Sequence, residues 1–407
     1  MKLRKKHLAL LAALLLLTER GFLNESPVTA AAATIPPAAI TSPAPTAGNS
    51  YTDNSSGGHA ILADAEQARY TNITVYKTGD LVLTVGHSGE NAAVLAENGA
   101  ALELREVSVS SDGTGADAIF SGGAGTAVEI ADSTVKTAGD FSDALATADG
   151  GTLNADNLVV RTSGVSSAAI RAGASMRVSG GTYDAVGVDS PAIYAASDII
   201  VIDAELSAAA AQGAIVDRGG DVTLENVTLT ANHAAQTENS GETLRYQAVL
   251  LCGSDEGEGA SSFTMRGGSL TNLHGDIFLV SGAKAVVNLT GAAIVNDDPD
   301  GAFLTVTGSS KAELRTAAQE LAGDILTEED ASLALHLWDG SVLTGAVNPA
   351  DTGAVSVELT DGAVWNLTGD SYIDSLRCEA NSIRLNGHTL TVGGEAYVEG
   401  TAAESAE

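Results

Sequence analysis

A short apolar phrase recurs nine times between residues 92 and 306 of this 407-residue chain. Each copy opens on a small residue, in most cases alanine, and continues with apolar ones. The central residues of the copies are Val94, Ile119, Leu145, Ile170, Ile193, Ile215, Val249, Ile277 and Phe303. Neighbouring copies lie 22 to 28 residues apart, apart from one step of 34 residues between Ile215 and Val249. Such a period is typical of a solenoid, in which each repeat buries its apolar face only by stacking on the next.

The rest of each repeat has the pattern of short strands. Apolar and polar residues alternate in segments such as 101–104 and 107–109, which predicts strands with one buried face. Glycine pairs, for example Gly122-Gly123 and Gly150-Gly151, separate these segments and predict sharp corners. We therefore predict an all-β fold, a right-handed single-stranded parallel β-helix with three strands in each coil of about 22–28 residues.

The N-terminus has the features of a secretory signal peptide. A basic start, with Lys2, Arg4, Lys5 and Lys6, precedes a ten-residue apolar run at residues 8–17. A membrane anchor is the alternative, but a bilayer core requires about 20 apolar residues. We expect a secreted, extracellular or cell-surface protein without a transmembrane segment in its mature form.

The remaining boundaries follow from composition and rhythm. Prolines are concentrated before residue 50, which predicts a flexible tether, and the repeat rhythm changes after residue 306. Trp338 and Trp365 are predicted to close the C-terminal part as a stacked aromatic plug. The predicted segments are a signal peptide (1–33), a Pro/Ser/Thr-rich linker (34–58), an N-terminal cap (59–91), regular coils (92–306), C-terminal coils and cap (307–398) and an acidic tail (399–407).

The charge of the chain argues against one class of partner, and its two cysteines argue against a disulfide framework. The chain carries 52 acidic and 20 basic residues, a net charge of −32, which argues against nucleic acid because phosphate binding needs clustered Lys and Arg. Cys252 and Cys378 are 126 residues apart and are predicted to be separate thiols rather than a disulfide framework. We expect a monomer.

Several phrases of the sequence resemble a known group of proteins. Residues 91–96, 166–171 and 190–194, with the closing phrases at 365–373 and 386–390, are similar to exported β-helix proteins of Gram-positive gut bacteria. They are also similar to the passenger domains of autotransporter adhesins and to the pectate-lyase-like fold. The resemblance covers roughly residues 59–398. It implies a right-handed parallel β-helix with an adhesin-like role and supplies no catalytic residue.

Inserted loops indicate the most promising binding region. The long step holds about ten extra residues within 233–245, the next step holds an acidic loop at 254–259, and a third acidic turn follows at 296–300. The first and third of these occupy the same phase of the repeat, so we expect them on one edge, roughly 10 Å apart. Loops inserted on a rigid scaffold commonly carry binding residues. The candidate binding residues are Glu238, Glu242, Asp255, Glu256, Glu258, Asp297, Asp298 and Asp300.

The same acids are open to two interpretations. Closely spaced carboxylates could hold Ca²⁺ through oxygen ligands, whereas a solvated acidic turn is the alternative in so acidic a chain. We therefore predict no cofactor and no metal ligand. Further turn aspartates suggest an acidic ridge along the helix, namely Asp112, Asp117, Asp140, Asp143, Asp184 and Asp189.

Two classes of function remain open from the sequence. A surface protein of this shape is suited to plant polysaccharides, mucin glycans or a partner protein, bound by its lateral face and inserted loops. The alternative is a polysaccharide lyase or glycoside hydrolase, which requires converging carboxylates, about 5 to 9.5 Å apart in the hydrolase case. No Arg or Lys is evident near the acids, and Asp297-Asp298 and Gly387-His388 are 90 residues apart. We therefore predict a non-enzymatic, adhesin-like protein.

Overall fold

The computed structural model describes residues 49–81, 89–233, 246–253 and 259–404. These residues form a β-solenoid of about twelve turns, in which consecutive coils stack through parallel strands. The described ranges contain strands, turns and bends and no helix. Consequently no helix that could cross a bilayer occurs in them. The predicted parallel β-helix with three strands per coil is confirmed; the predicted signal peptide lies outside the described residues.

Between residues 61 and 296 each coil contributes one strand to each of three sheets, which we number in the order in which the chain enters them from Ile61 onward. The first sheet contains Ile61–Asp64, Val94–Glu97, Ile119–Gly122, Leu145–Ala148, Ile170–Ala172, Ile193–Ala195, Ala214–Asp217, Gln247–Cys252, Asp276–Ser281, Leu304–Thr307 and Ile325–Thr327. The second sheet contains Gln67–Thr71, Ala101–Arg105, Ala127–Ala131, Asp198–Ile202, Asp221–Glu225, Ser261–Arg266, Lys284–Thr290, Lys311–Ala317, Ser332–Trp338, Ala354–Leu359 and Ser375–Cys378. Two long strands, Thr152–Thr162 and Met176–Ala185, run through the corner from the second sheet into the third.

The third sheet starts before the first one. It contains Ser50–Asp53, Thr74–Lys77, Ser108–Ser111, Thr134–Thr137, the second halves of the two long strands, Glu205–Ala208, Thr228–Ala231, Ser269–Asn272 and Ala293–Asn296. Two small sheets complete the C-terminal coils. They are formed by Glu320–Ala322, Val342–Thr344, Val364–Asn366 and Ile383–Arg384, and by Ser371–Ile373, Leu390–Val392 and Glu395–Ala396.

The register of the first sheet shows where the repeat phrase was aligned correctly. Val94, Ile119, Leu145, Ile170 and Ile193 are stacked in direct register and point into the core. The column then continues through Ala214, Val249, Phe278 and Leu304. The predicted anchors Ile215, Ile277 and Phe303 are therefore each one residue out of register. A shift of one residue moves a side chain to the opposite face of a strand, as for the partly exposed Ile215. Ile277 and Phe303 nevertheless remain buried in the core.

The core is a single narrow column of small and branched side chains. Inward rows from the three sheets meet along the axis, and aromatic residues are stacked through part of it. Phe278 lies between Phe263 and Phe303, with ring centroids 5.6 Å and 5.7 Å away. Because the three sheets contribute alternate residues to one continuous core, no coil can be stable without its neighbours.

The corner between the third sheet and the next coil, which we call the third corner, is built from a glycine stack and a serine ladder. A Cβ atom on Gly139 would lie 1.9 Å from the carbonyl oxygen of Gly113 in the preceding coil, so a side chain cannot fit there. The buried hydroxyl of Ser142 donates to that same Gly113 oxygen at 2.9 Å. The hydroxyl of Ser167 repeats the contact one coil later, on Gly139 at 3.1 Å.

The N-terminal end differs from the predicted linker and cap. Ser50–Asp53 lies in the segment predicted as linker, yet it pairs in parallel with Thr74–Lys77. The reason is Lys77, which is fully buried and holds Asp53 through an ion pair of 3.0 Å. Residues 61–77, predicted as part of a cap, form three strands that stack on the next coil with ordinary parallel register.

The C-terminal end is closed by a reversal of chain direction. Glu395–Ala396 pairs antiparallel with Leu390–Val392, and Ala403 forms an antiparallel bridge to Cys378. Part of the segment predicted as an acidic tail is therefore paired with the solenoid. The predicted aromatic plug is wrong in its arrangement: Trp365 is buried in the core and donates to the Gly345 carbonyl at 2.9 Å, whereas Trp338 is half-buried on the outer face of the second sheet. Both cysteines are free thiols.

Candidate functional site

The predicted acidic turn at residues 297–300 is a structural turn. One carboxylate oxygen of Asp298 accepts a hydrogen bond from the Gly275 N–H at 2.7 Å, and the other accepts from the Asp300 N–H at 3.0 Å. The bonds from Gly275 and then Asp300 lower the pKa of Asp298. Asp297 and Asp300 are exposed beside it. Asp298 is therefore occupied in linking two coils.

Turn aspartates elsewhere have the same task. Each accepts a hydrogen bond from a backbone N–H of a neighbouring coil, at 2.6 to 2.9 Å. The carboxylates that do so are Asp80, Asp117, Asp140, Asp143, Asp276, Asp324, Asp370 and Asp374. Asp117 and Asp143, predicted as part of an exposed acidic ridge, are buried. The ridge prediction is wrong for these two, because loop N–H groups require acceptors when a corner is packed.

Five of the predicted binding residues, Glu238, Glu242, Asp255, Glu256 and Glu258, lie outside the described residues. The structure therefore brings together only Asp297, Asp298 and Asp300. Among residues 49–81, 89–233, 246–253 and 259–404, no group of three or more His, Cys, Asp or Glu side chains is arranged to hold a metal ion. Those three aspartates on their own do not form the calcium site considered from the sequence.

A buried polar chain on the outer side of the first sheet was not predicted. Asp143, which is fully buried, forms an ion pair with Arg171, whose side chain is 18% exposed. The Arg171 guanidinium lies 4.3 Å from the centre of the Tyr194 ring, and the Tyr194 hydroxyl donates to Asp217 at 2.5 Å. Burial acts to lower the pKa of Arg171, but Asp143, Tyr194 and Asp117 outweigh it and raise the pKa.

The thiol at the end of this chain is inert in character. Cys252 lies 3.8 Å from the other oxygen of Asp217. Burial, and then the negative charge of Asp217, raise the pKa of the Cys252 thiol, which opposes formation of a nucleophilic thiolate. The chain from Asp143 to Cys252 therefore holds adjacent coils together.

A concavity lies on the outer face of the second sheet, which faces solvent. It has a volume of about 190 Å³ and is formed by four successive strands, from Ala101–Arg105 to the start of Met176–Ala185. Because alternate residues of a strand point outward, each strand offers polar side chains two residues apart. The polar lining consists of Glu103, Arg105, Glu129, Asn154, Asp156, Arg177 and Ser179. We call this concavity the second-sheet cavity.

One edge of the second-sheet cavity is fixed by ion pairs. Glu103 is buried and binds both Arg105, at 2.6 Å, and Arg69 of the preceding coil. Partial burial acts to raise the pKa of Glu103, but the hydrogen bonds from Arg105 and Arg69 outweigh it and lower the pKa. Glu103 therefore stays ionised and holds two guanidinium groups in place at the rim.

On the opposite side of the cavity the polar side chains make fewer hydrogen bonds and ion pairs within the protein. Asp156 accepts a hydrogen bond from the Ser179 hydroxyl at 2.6 Å. In the part of the chain that the structure describes, the side chains of Glu129 and Arg177 make no hydrogen bond and no ion pair within 4.0 Å. Glu129 and Asp156 are diagonal neighbours on adjacent strands, which places their Cα atoms about 7–8 Å apart. The cavity can therefore offer acceptors and donors to a ligand that carries both.

The sequence interpretation that no basic residue lies near the acids is wrong at this site. Arg105 and Arg177 are distant in sequence from Glu129 and Asp156, and the coil register brings them to one face. An alignment of the coils on their second strands, rather than on the apolar phrase of the first, would have placed them together. The signal was present in the period-two alternation of those strands.

Comparison with known proteins adds no family to this geometry. No protein-family model matches the chain, and no curated protein matches it significantly.

Proposed function

We propose that the protein is an exported, non-enzymatic β-helix that binds glycans through the second-sheet cavity. The observation that supports this proposal is the set of guanidinium, carboxylate, amide and hydroxyl groups that four coils present in register around one cavity. Sugar hydroxyls donate and accept hydrogen bonds at once. Planar polar side chains such as those of Arg177, Asn154 and Glu129 supply the complementary partners.

Charge argues against the competing ligand classes. The chain carries a net charge of −32, so nucleic acid would be repelled over most of the surface. Five of the residues that line the cavity, Glu103, Arg105, Glu129, Asp156 and Arg177, are ionisable, which favours a polar ligand over a purely apolar one. A partner protein remains the other possible occupant of the lateral face, and a protein partner would not be displaced by free sugars.

The proposed location of the protein outside the cell is supported by its N-terminal sequence and by its resemblance to exported β-helix proteins. A basic start followed by a short apolar run supports export, and similarity to adhesin-like β-helix proteins of gut bacteria supports a place at the cell surface. Mature protein purified from the culture medium, with its N-terminus determined by mass spectrometry, tests this part. An N-terminus within residues 20–40 is expected, whereas an intact residue 1 on protein retained inside the cell would contradict export.

Binding is tested by incubation of the full mature chain with a panel of plant polysaccharides and mucin, followed by measurement of depletion and affinity. The double variant Glu129→Gln/Arg177→Ala is expected to lower the affinity at least tenfold. Arg161→Ala serves as the matched control, since Arg161 is an exposed arginine on the outer face of the third sheet, 3.9 Å from Asp184. Equal binding by wild type and double variant would refute the cavity as the site.

Hydrolysis or lyase cleavage of a polysaccharide is the second candidate. Its support is the pair Glu129 and Asp156, whose diagonal spacing suits two carboxylates on either side of a glycosidic bond, together with Arg105 and Arg177 nearby. Mass spectrometry of the supernatants from the same incubations distinguishes the two. Released oligosaccharides that disappear in Glu129→Gln would replace the binding proposal by an enzymatic one.

A further inference from the structure

A second polar cluster lies on the same sheet face, near the C-terminal end. Arg315 holds Glu313 through two hydrogen bonds of 2.7 Å. His336 on the next coil has its two ring nitrogens 3.3 Å from Glu313 and 3.1 Å from Glu358, and Arg377 binds Glu358 at 2.5 Å. We call this the distal cluster. Its charges are paired internally, as are those at the rim of the second-sheet cavity.

The two clusters belong to one straight row of side chains. Glu129 is followed, in direct register on successive coils, by Asn154, Arg177, Ile200, Thr223, Thr264, Asn288, Arg315 and His336. Eight steps at the spacing of adjacent strands separate Glu129 from His336 by roughly 38 Å. Both clusters therefore face the same direction at a fixed separation on a rigid rod.

Between the clusters this row carries the uncharged side chains of Ile200, Thr223, Thr264 and Asn288, of which Ile200 is 39% exposed and Thr264 is buried. Charged residues flank the row on the same face, with Asp198 and Asp221 on one side and Glu225, paired with Arg266, on the other. In the chain, the insertion at 233–245 follows the third-sheet strand Thr228–Ala231, and the acidic segment at 254–258 separates the first-sheet strand Gln247–Cys252 from the second-sheet strand Ser261–Arg266. The strands of the second sheet itself are continuous from Gln67–Thr71 to Ser375–Cys378. Among the described residues nothing interrupts the row, so an extended chain could lie along it from one cluster to the other.

The balance of charges on this face indicates which kind of polymeric ligand suits the row. Arg69, Arg105 and Arg177 balance Glu103, Glu129 and Asp156 in the first cluster, so that cluster offers no net positive charge to an anion. The chain as a whole carries a net charge of −32, which repels polyanions such as polyuronates and sulfated glycans. A neutral polymer is not subject to that repulsion.

We infer that the ligand is a neutral, linear polysaccharide that lies along the solenoid axis and engages the second-sheet cavity and the distal cluster together. This inference rests on the proposed glycan binding. Two weak sites on one rigid face convert a modest affinity for each into a much higher affinity for a polymer that spans both. A sugar residue in an extended chain advances by about one strand spacing, so about eight residues are needed to span the clusters.

The test uses neutral xylan, mannan, arabinan and mixed-linkage glucan, with polygalacturonate as the acidic counterpart. Fragments of two to twelve residues are prepared by partial acid hydrolysis of the polymer that binds best, and their affinities are measured by calorimetry. The affinity is expected to rise at least tenfold near eight residues. An affinity that is independent of length, or a preference for polygalacturonate, would overturn the inference while the glycan-binding proposal stands; absence of binding to every polymer would overturn both.

A variant of the distal cluster provides the matched measurement. In Arg315→Ala/Arg377→Ala, which removes two arginines with side chains 45% and 61% exposed, the gain for long fragments is expected to disappear while the affinity for di- to tetrasaccharides stays unchanged. Arg161→Ala, on the outer face of the third sheet, is the control and should bind long fragments as wild type does. Retention of the full gain by the double variant would show that the distal cluster takes no part.

Discussion

The third corner and the outer face of the second sheet are both rich in acids, yet they use them in opposite ways. At the corner, Asp143 and Asp298 accept backbone N–H groups from neighbouring coils. On the sheet face, Glu129 and Asp156 line a cavity open to solvent. The backbone explains the difference. Strands satisfy their own N–H groups by pairing with the coils on either side, whereas some corner N–H groups, such as those of Ala168 and Gly275, donate to a carboxylate instead.

This comparison shows that acidity alone does not identify a binding site in a solenoid. A carboxylate that caps a neighbouring coil cannot be withdrawn without exposing a buried donor. Glu129, on the outer face of a strand, accepts no such bond from the residues that the structure describes and is available to a ligand. Corner acids should therefore affect stability, and face acids should affect binding.

The largest effect is expected from Asp143→Ala. This change removes the partner of Arg171 and leaves a mostly buried guanidinium without its carboxylate, which should cost about 3–5 kcal/mol of unfolding free energy. Denaturant unfolding followed by circular dichroism measures it. In Asp143→Ala/Arg171→Met part of that loss should be recovered, because no unpaired charge remains. A loss below about 1 kcal/mol in the single variant would contradict a structural role for the corner.

Acid should weaken the corner through His233, which flanks the long insertion and packs edge-to-face on Tyr246 with ring centroids 5.1 Å apart. Burial lowers the pKa of His233 to about 4, from 6.5 when it is unfolded. The unfolded chain then binds the extra proton between pH 6.5 and 4. The stability contributed at neutral pH is lost as the pH falls through this window, by up to about 3 kcal/mol.

Unfolding of wild type and His233→Phe at pH 7, 5.5 and 4 checks this prediction. Phenylalanine retains the ring contact with Tyr246 but cannot bind a proton. The variant should therefore lose less stability than wild type across the window. The carboxylates with lowered pKa, such as Asp298, act mainly below pH 4 and are common to both proteins. Identical pH profiles would show that His233 is not the titrating group.

A smaller effect is expected within the predicted acidic turn itself. Asp298→Ala deprives the Gly275 and Asp300 N–H groups of their acceptor and should cost about 1 kcal/mol, as loss of an N-cap does. Asp297→Asn and Asp300→Asn change exposed groups and should stay within about 0.5 kcal/mol. Thermal unfolding of the three variants distinguishes them. Equal losses of stability in the three variants would contradict the assignment of Asp298 as a capping residue and of Asp297 and Asp300 as solvated residues.

The smallest effect on stability is expected on the sheet face. Glu129→Gln and Arg177→Ala alter side chains that face the cavity and make no hydrogen bond or ion pair within 4.0 Å among the described residues, so each should change the unfolding free energy by less than about 0.5 kcal/mol. A loss above 2 kcal/mol in either variant would mean that the face is structural as well. Calorimetric unfolding gives the value directly.

Much of the fold could be predicted from the sequence because the core repeats its own pattern. The column from Val94 to Ile193 was placed correctly by apolar residues alone. The later anchors are predicted one residue out of register because the small residue that opens each phrase, and not the inward-facing residue, determines the alignment of the repeats. In three repeats the inward-facing residue stands two positions after an aspartate that caps a neighbouring coil. These repeats are Asp117-Ala118-Ile119, Asp143-Ala144-Leu145 and Asp276-Ile277-Phe278. Right-handed winding stays a prediction.

The candidate site was less accessible to sequence reasoning. Its residues are about 25 positions apart, and each strand alone shows only ordinary alternation. Arg177 meets Asp156 and Glu129 only once the coils are in register, and register depends on the corners between them. The sequence also does not reveal which aspartates cap a neighbouring coil, because that depends on which backbone N–H groups lie near each carboxylate in the folded structure. The sequence therefore predicts Asp298 as a binding residue and does not predict Glu129.

The most direct test of this account measures stability and glycan affinity together for Asp143→Ala, Asp298→Ala, Glu129→Gln and Arg177→Ala. The polysaccharide that wild type depletes from the panel serves as the probe, at a temperature where every variant remains folded. The two corner variants should lose stability and keep their affinity, and the two face variants should keep stability and lose affinity. Face variants that bind as wild type does, or folded corner variants that no longer bind, would contradict the assignment of function to the second sheet.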